Sequence, residues 1–367
     1  MTRLALALLI LVVLVAPAAA LEAFPGETEL DNEWFTIVDE TGDPLVATGI
    51  SLSPGDRYIT ADDREYEVTR LEGRVAYTRF VAALPPWREA TGLWVWLTGP
   101  SVPAQGGERP LVAIYHSHSD ESYLPSDGVS STDGNGGIYQ VGAALRRAME
   151  AKGLRVEHEQ ANHNPRDARA YERSRRTASG LMRQRPALLL DVHRDSGPAE
   201  AYEANVRGRD VTQLLLVVGS QNPNMQANLS FARKIKSIAN RTSPGLVRGI
   251  MVARGRYNQD LGPRAALIEV GAHTNRREDA ERAMALFADA VPGILGVAGA
   301  GGEAAGAWRA LAWILALTVV GGSAYLVVAS GGWRQAWDRL RHFADRELAD
   351  IVGARRGPRG GRDGDSG

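Results

Sequence analysis

The chain has no cysteine among its 367 residues. That removes disulfides, zinc-thiolate sites, iron-sulfur clusters and thiol nucleophiles together. Any transition-metal site must then be built from carboxylates and the seven histidines. The absence leaves the redox compartment open, because a chain without thiols folds equally well on either side of a membrane. No charge of one sign dominates either: 42 basic against 43 acidic side chains give a formal net charge of -1. With no basic field, nucleic acid is not expected as a partner. A G-x-S-x-G nucleophile elbow is missing, which argues against a serine hydrolase of the α/β type. The glycine-rich stretch Asp133-Gly134-Asn135-Gly136-Gly137 lacks the Lys-Ser/Thr ending of a phosphate loop and reads as the lip of a cleft. At 44% hydrophobic residues the chain is neither disordered nor fibrous, and its length allows two domains with appendages.

The two ends carry long uncharged runs. Leu4 to Leu21 follows Arg3, contains no charge and ends in Pro17-Ala18-Ala19-Ala20. Residues 1–20 are therefore expected to be a signal peptide or an uncleaved N-terminal anchor. Ala310 to Trp333 runs 24 residues without a charge, about 36 Å of helix against about 30 Å of hydrocarbon core. Trp308, Trp313, Trp333 and Trp337 cluster near its edges, as an interfacial belt would. The tail at 334–367 holds Arg334, Arg339, Arg341, Arg346, Arg355, Arg356, Arg359 and Arg362, whereas Gly296 to Gly306 holds no Lys or Arg. The positive-inside rule then puts the tail in the cytoplasm. The expectation is a cell-membrane protein whose body lies outside the cytoplasm, tethered by a transmembrane helix at 310–333 after a linker at 296–309.

Residues 22–98 read as a small β-rich module: Trp34-Phe35-Thr36-Ile37-Val38, Tyr58-Ile59-Thr60 and Tyr66-Glu67-Val68 alternate with turn signals, and Leu93 to Leu97 adds a candidate strand. A linker at 99–109 follows. From 110 to 295 short apolar runs alternate with helical segments. Strands are expected at Leu111–Tyr115, Leu154–Val156, Ala187–Val192, Gln213–Gly219, Gly249–Val252 and Ala265–Val270. Helices are expected at Ile138–Ala151, Arg166–Arg183, Asn224–Ala239 and Arg277–Leu295. This rhythm predicts an α/β fold with a mainly parallel sheet flanked by helices, in which sites form at the carboxyl ends of strands.

Three expected strands end in chemistry. The first runs into His116-Ser117-His118-Ser119-Asp120-Glu121, the third into Asp191-Val192-His193-Arg194-Asp195, and the last into Ile268-Glu269-Val270-Gly271-Ala272-His273-Thr274-Asn275. Taken singly, each is explained as well by a surface histidine or a capping acid; three on one sheet are not. A hydrolytic zinc site wants His and carboxylate donors with one position left for water. His118 and Glu121 are three apart, so a turn lets both face one point, and His193 supplies a third donor. His116 is the alternative to His118, a question the spacing leaves open. Glu269, alone on an apolar strand, is the candidate general base, since a buried Glu without a role would be costly. Asp191 or Asp195 would orient His193, with a capping role the plain alternative for Asp195. Arg194, His273 and Asn275 are candidate supporting or substrate contacts. So are the polar loops Asn222-Pro223-Asn224 and Tyr257-Asn258-Gln259-Asp260, which suit a glycan or peptide.

Ile114 to Tyr123, Asp191 to Ser196, Val218 to Asn224, Tyr257 to Leu261 and Ile268 to Asn275, in that order, resemble the stage II sporulation protein P family over roughly Leu111 to Phe287. The family is related to the zinc-dependent N-acetylmuramoyl-L-alanine amidases. The resemblance implies an amidase-like α/β fold and a zinc hydrolase of peptidoglycan acting in the engulfment step of sporulation. It implies cleavage between the muramic acid lactyl group and L-alanine, with a second, peptide-cleaving activity on cross-links. It carries His118, Glu121 and His193 over as zinc ligands and Glu269 as the base. In the broader amidases the ligand Glu commonly lies just before the first helix, where this chain has Asn135 and Gln140, so Glu121 rests on the sporulation-type motif. The implied partners are peptidoglycan and other engulfment proteins, a lytic transglycosylase and a polytopic membrane scaffold. Two other readings stand beside it: a zinc carboxypeptidase-like wall peptidase, suggested by His118-x-x-Glu121, and a non-catalytic wall-binding module.

Overall fold

In the computed structural model, residues 29–87, 109–296, 303–335 and 337 are described, and the chain divides into two units, residues 1–297 and 298–367. The first unit opens with β1 (Phe35–Val38), β2 (Pro44–Thr48), β3 (Arg57–Thr60), β4 (Arg64–Glu72) and β5 (Val75–Ala83). Gly73, at φ +58°, makes the two-residue turn that joins β4 to β5. There follow β6 (Leu111–Tyr115), α1 (Leu124–Asp127), α2 (Ile138–Glu150), β7 (Arg155–His158), α3 (Ala170–Arg183) and β8 (Leu188–Asp195). The unit continues through β9 (Glu203–Val206), β10 (Arg209–Thr212), β11 (Leu214–Gly219), α4 (Met225–Thr242), β12 (Val247–Ala253), β13 (Ala265–Ala272) and α5 (Arg277–Leu295).

Eleven strands form one sheet in the order β2-β1-β5-β4-β3-β12-β11-β13-β8-β6-β7, and β9 and β10 form a separate hairpin. Two expectations are corrected. The sheet is mixed: β11 meets β13 antiparallel, and most of the N-terminal pairings are antiparallel. The N-terminal strands also do not stand apart, because β3 pairs with β12 and carries the sheet across. Gly249 permits that approach, since a Cβ there would lie 2.6 Å from the Ile59 carbonyl oxygen. The β9-β10 hairpin was not anticipated. It is short and polar, and only Val206 and Val211 enter the core.

Both faces of the central strands are covered, which is why their sequences read as unbroken apolar runs. On β6, Val112 and Ile114 join the core beneath α2, α4 and α5, and Ala113 and Tyr115 pack under α3 with Ala178 and Leu181. The same alternation puts Leu188, Leu190 and Val192 of β8 on the first face and Leu189 on the second. Strands β6, β8 and β13 run parallel to one another, so their carboxyl ends share one edge.

In the second unit a helix, α6 (Glu303–Ser330), stops where Gly331 and Gly332 take positive φ. Most of its described side chains are apolar and exposed, among them Ile314, Leu317, Val320 and Val328. Among the described residues no helix is long and apolar enough to cross a membrane. The membrane-spanning reading is thus carried by sequence, not by the described helix. Residues 1–28, the Leu93–Leu97 strand, the linker at 99–108 and the tail beyond 337 lie outside the described residues.

Candidate metal centre

Period-two alternation on two neighbouring strands builds the site. On β8 the odd-numbered Asp191, His193 and Asp195 all point away from α2 and toward α3. On β13 Glu269 lies between Ile268 and Val270 and points the same way, in register with His193. After β6 the chain turns inward. The Ser117 N–H donates to Asp191 Oδ1 at 2.9 Å and its hydroxyl to Asp191 Oδ2 at 2.6 Å. This anchors the loop that brings His118 and Glu121 to β8.

Four side chains converge: Glu29, His118, Glu121 and His193, with one donor atom from each within 4.8 Å of all the others. His118 Nδ1 is 3.2 Å from Glu121 Oε1 and 3.3 Å from Glu29 Oε2, and His193 Nδ1 is 3.4 Å from Glu121 Oε1 and 4.0 Å from Glu29 Oε1. Four donors at about 2.0 to 2.1 Å from a tetrahedral ion stand about 3.3 to 3.4 Å from one another, and the His118–Glu121, His118–Glu29 and His193–Glu121 distances are close to that while the His193–Glu29 distance is longer. All four side chains are buried. His193 Nε2, on the far side of the ring, lies 2.9 Å from Asp191 Oδ1, an ion-pair contact without hydrogen-bond alignment that sets a carboxylate behind a potential ligand. Glu121 Oε2 accepts the Arg194 N–H at 2.9 Å.

The charges agree with a cation site. Burial pulls the His193 pKa down, yet Asp191 and Glu121 raise it well above the ordinary value; His118 is also raised, Glu29 and Glu121 outweighing its burial. Glu121 is held well below the carboxylate range and Glu29 at about 2, in both cases because neighbouring positive charge outweighs burial. The carboxylates thus favour positive charge at both imidazoles, as they would favour a bound divalent cation.

Glu269 differs from these four. It is wholly buried, and neither carboxylate oxygen has a hydrogen-bond partner. Burial first, then the negative charge of Glu29, lifts its pKa well above the ordinary range, with His193 opposing.

The other anticipated residues separate into roles. His116 turns away from the cluster: its Nδ1–H donates to Val192 O at 2.7 Å, so its Nε2 accepts from His158 Nε2 at 2.8 Å. Asp195 does not orient His193; it accepts the N–H groups of Gly49 and Ser196 and the Tyr202 hydroxyl. Arg194 is fully buried and donates to the carbonyls of Ser122 and Ser130, binding down the loop that carries Glu121. Asn275 caps the end of β13 through the Ala272 N–H. His273 Nδ1 is buried without a partner, its pKa drawn down to about 4 by burial. The polar loops offered as glycan contacts are consumed internally: Gln259 bonds both polar groups of the β11 end at Gly219 and Val217, Asn222 bonds Gly219 O, and Asn258 bonds Tyr171 O. Glycines 136 and 137 are buried against the Ser119–Ser122 loop and so are not a lip.

Sequence reasoning missed Glu29 and Arg166. Glu29 stands shortly after an apparent export signal with no motif around it, and Arg166 was placed in a helix that begins only at Ala170. Arg166 Nη2 lies 2.7 Å from Glu29 Oε2 and 3.5 Å from Glu121 Oε1.

The family model described as Stage II sporulation protein P (SpoIIP) matches residues 71–292. The chain belongs to this family. It is 29% identical over 202 residues to Stage II sporulation protein P of Bacillus subtilis (strain 168), a match covering 50% of this chain and 50% of that protein. The chain thus spans about half the length of the curated relative it matches. Among solved structures it is similar to the N-acetylmuramyl-L-alanine amidase Ami1 of Mycobacterium smegmatis, at 16% identity, over 51% of this chain and 97% of that one, with a TM-score of 0.35. It is also similar to the CwlD amidase of Clostridioides difficile, solved with the GerS lipoprotein, at 12% identity, over 51% and 99%, with a TM-score of 0.37. Neither likeness is close enough to speak for the fold or the site. The matched family segment contains His118, Glu121, His193 and Glu269 and excludes Glu29.

Proposed function

We propose that this member of the SpoIIP family is a zinc-dependent hydrolase of peptidoglycan that cuts the amide between N-acetylmuramic acid and L-alanine during engulfment in sporulation. The observation that carries the reading is the convergent cluster of buried His and Glu donors beside a buried, unpartnered Glu269. His118, Glu121 and His193 would hold the ion. Zinc there supplies polarisation of the scissile carbonyl and acidification of water. Asp191 keeps the His193 ring turned toward the cluster. Glu269, free of hydrogen bonds and raised in pKa, takes a proton from the attacking water and returns it to the leaving amine of L-alanine. Its isolation from other donors leaves both oxygens available for that transfer.

The same reading places the protein at the cell membrane. The uncharged run at 310–333 is taken as the tether, with the body outside and the Arg-rich tail in the cytoplasm. Peptidoglycan is the proposed substrate, and a lytic transglycosylase and a polytopic membrane scaffold are the proposed partners in engulfment. Cleavage of cross-links would be a second activity of the same cleft. The test is metal analysis with product release: the full chain should bind one zinc, and Glu269→Ala should keep the zinc while releasing no stem peptide. A chain without stoichiometric metal would instead be a wall-binding module.

A further inference from the structure

A zinc site that does hydrolysis keeps one position open, whereas four protein donors close it. Here the fourth donor is Glu29, and it is held unlike the other three. His118, Glu121 and His193 stand on or beside β6 and β8 and are fixed by Asp191 and Arg194. Glu29 arrives from the chain before β1. Among the described residues that segment is tied down by an isolated bridge to Ile50, the Leu30 N–H on Gly49 O at 2.7 Å, the Ser196 hydroxyl on Leu30 O at 2.9 Å, the partly buried Leu30 side chain, the Tyr171 hydroxyl on Glu29 Oε1 at 3.4 Å and an Arg74–Glu33 ion pair. Asp31, Asn32 and Glu33, which follow, are exposed. The Glu29 carboxylate is moreover shared. Oε2 lies 3.3 Å from His118 Nδ1 and 2.7 Å from Arg166 Nη2. Arg166 Nη1 is buried, 3.7 Å from Asp31, and makes no hydrogen bond. A buried guanidinium has thus been provided with an anion that belongs to a peripheral segment.

We propose that Glu29 is an internal substitute for substrate: its carboxylate closes the metal centre and occupies Arg166 until an anionic group of the stem peptide displaces it. This rests on the metal reading above and adds its regulation and its preference for carboxylate-bearing peptides. Arg166 then positions that carboxylate beside the scissile amide. The Ser196 and Gly49 contacts, few and local, allow the segment to leave without opening the sheet.

The test uses the full chain loaded with Co2+, as wild type, Glu29→Ala and the volume-preserving Glu29→Gln. Acetate is the probe. Acetate should leave the wild-type visible spectrum unchanged and alter that of both variants, and this response should vanish when Arg166→Ala is added. Chelator competition should show Co2+ held at least about tenfold more weakly by the variants. Stem-peptide release per loaded chain should rise severalfold. Identical spectra and affinities in all forms would put Glu29 off the metal and overturn the proposal. Release falling in step with metal loss would make Glu29 an obligatory ligand and overturn it equally. No bound Co2+ in any form would overturn the metal reading itself, and this proposal with it.

Discussion

Replacing Glu269 by Met should stabilise the metal-free protein while destroying its chemistry. Both carboxylate oxygens are buried with no hydrogen-bond partner, and an unsatisfied buried polar group costs about 1–3 kcal/mol. Methionine has a similar length, adapts its shape and brings no polar atom. The expected gain is therefore about 2–4 kcal/mol at neutral pH. Its pH dependence is a sharper signature than its size. The folded pKa of Glu269 is raised above its unfolded value, so the folded state binds more protons than the unfolded chain across the interval between them. The Glu269 contribution to stability then falls as pH rises through that interval, by at most about 1.4 kcal/mol per unit. Glu269→Met lacks that slope, so its advantage is small near pH 4 and grows toward neutrality. Urea denaturation followed by circular dichroism, with chelator present, at pH 4.5 and 7.5 measures both. A variant less stable than wild type at both pH values, or one whose advantage does not grow with pH, would mean that Glu269 has partners it is here said to lack.

Two other predictions concern the frame around the site. The buried His116 and the half-buried His158 have folded pKa values of about 4 and about 3, depressed mainly by loss of solvent. The unfolded chain takes up these protons first, so their contribution is intact above about pH 6.5 and lost as pH falls toward 4; for His116 this is about 3 kcal/mol, and denaturation at pH 7 and 4.5 should show it. Arg194→Met should destabilise by about 2–4 kcal/mol, because the buried Ser122 and half-buried Ser130 carbonyls lose their donor; the same denaturation series reads this loss.

The sequence was most legible where one strand face alternates with another. Ile138–Glu150 and Arg277–Leu295 form where the apolar spacing placed them, and β6, β8, β11 and β13 fall on the apolar runs. The convergence of His118, Glu121 and His193 was legible because polar residues that are costly to bury stood at the ends of such runs. The choice between His116 and His118 was not, since it depends on a turn after Tyr115 that sends one ring to His158 and the other to Glu121. Glu29 was beyond reach for a related reason: its place depends on a contact across more than 160 residues, through Leu30 and Ser196, and no local spacing encodes that. The Asn222 and Asn258–Gln259 loops misled because polar side chains that satisfy strand ends look, in sequence, like side chains that await a ligand. The edge strands β1 to β5 were visible as strands, but their union with β12 turned on a single glycine, Gly249.

The central claim is that these donors and Glu269 cut one particular amide. Mass spectrometry of the material released from purified wall by the zinc-loaded full chain tests it most directly. The account predicts stem peptides that begin with a free L-alanine amine, glycan strands with intact muramic acid lactyl groups, and no release by zinc-loaded Glu269→Ala. Cleavage deeper in the stem with the lactyl-alanine bond intact, or full release by Glu269→Ala, would contradict it.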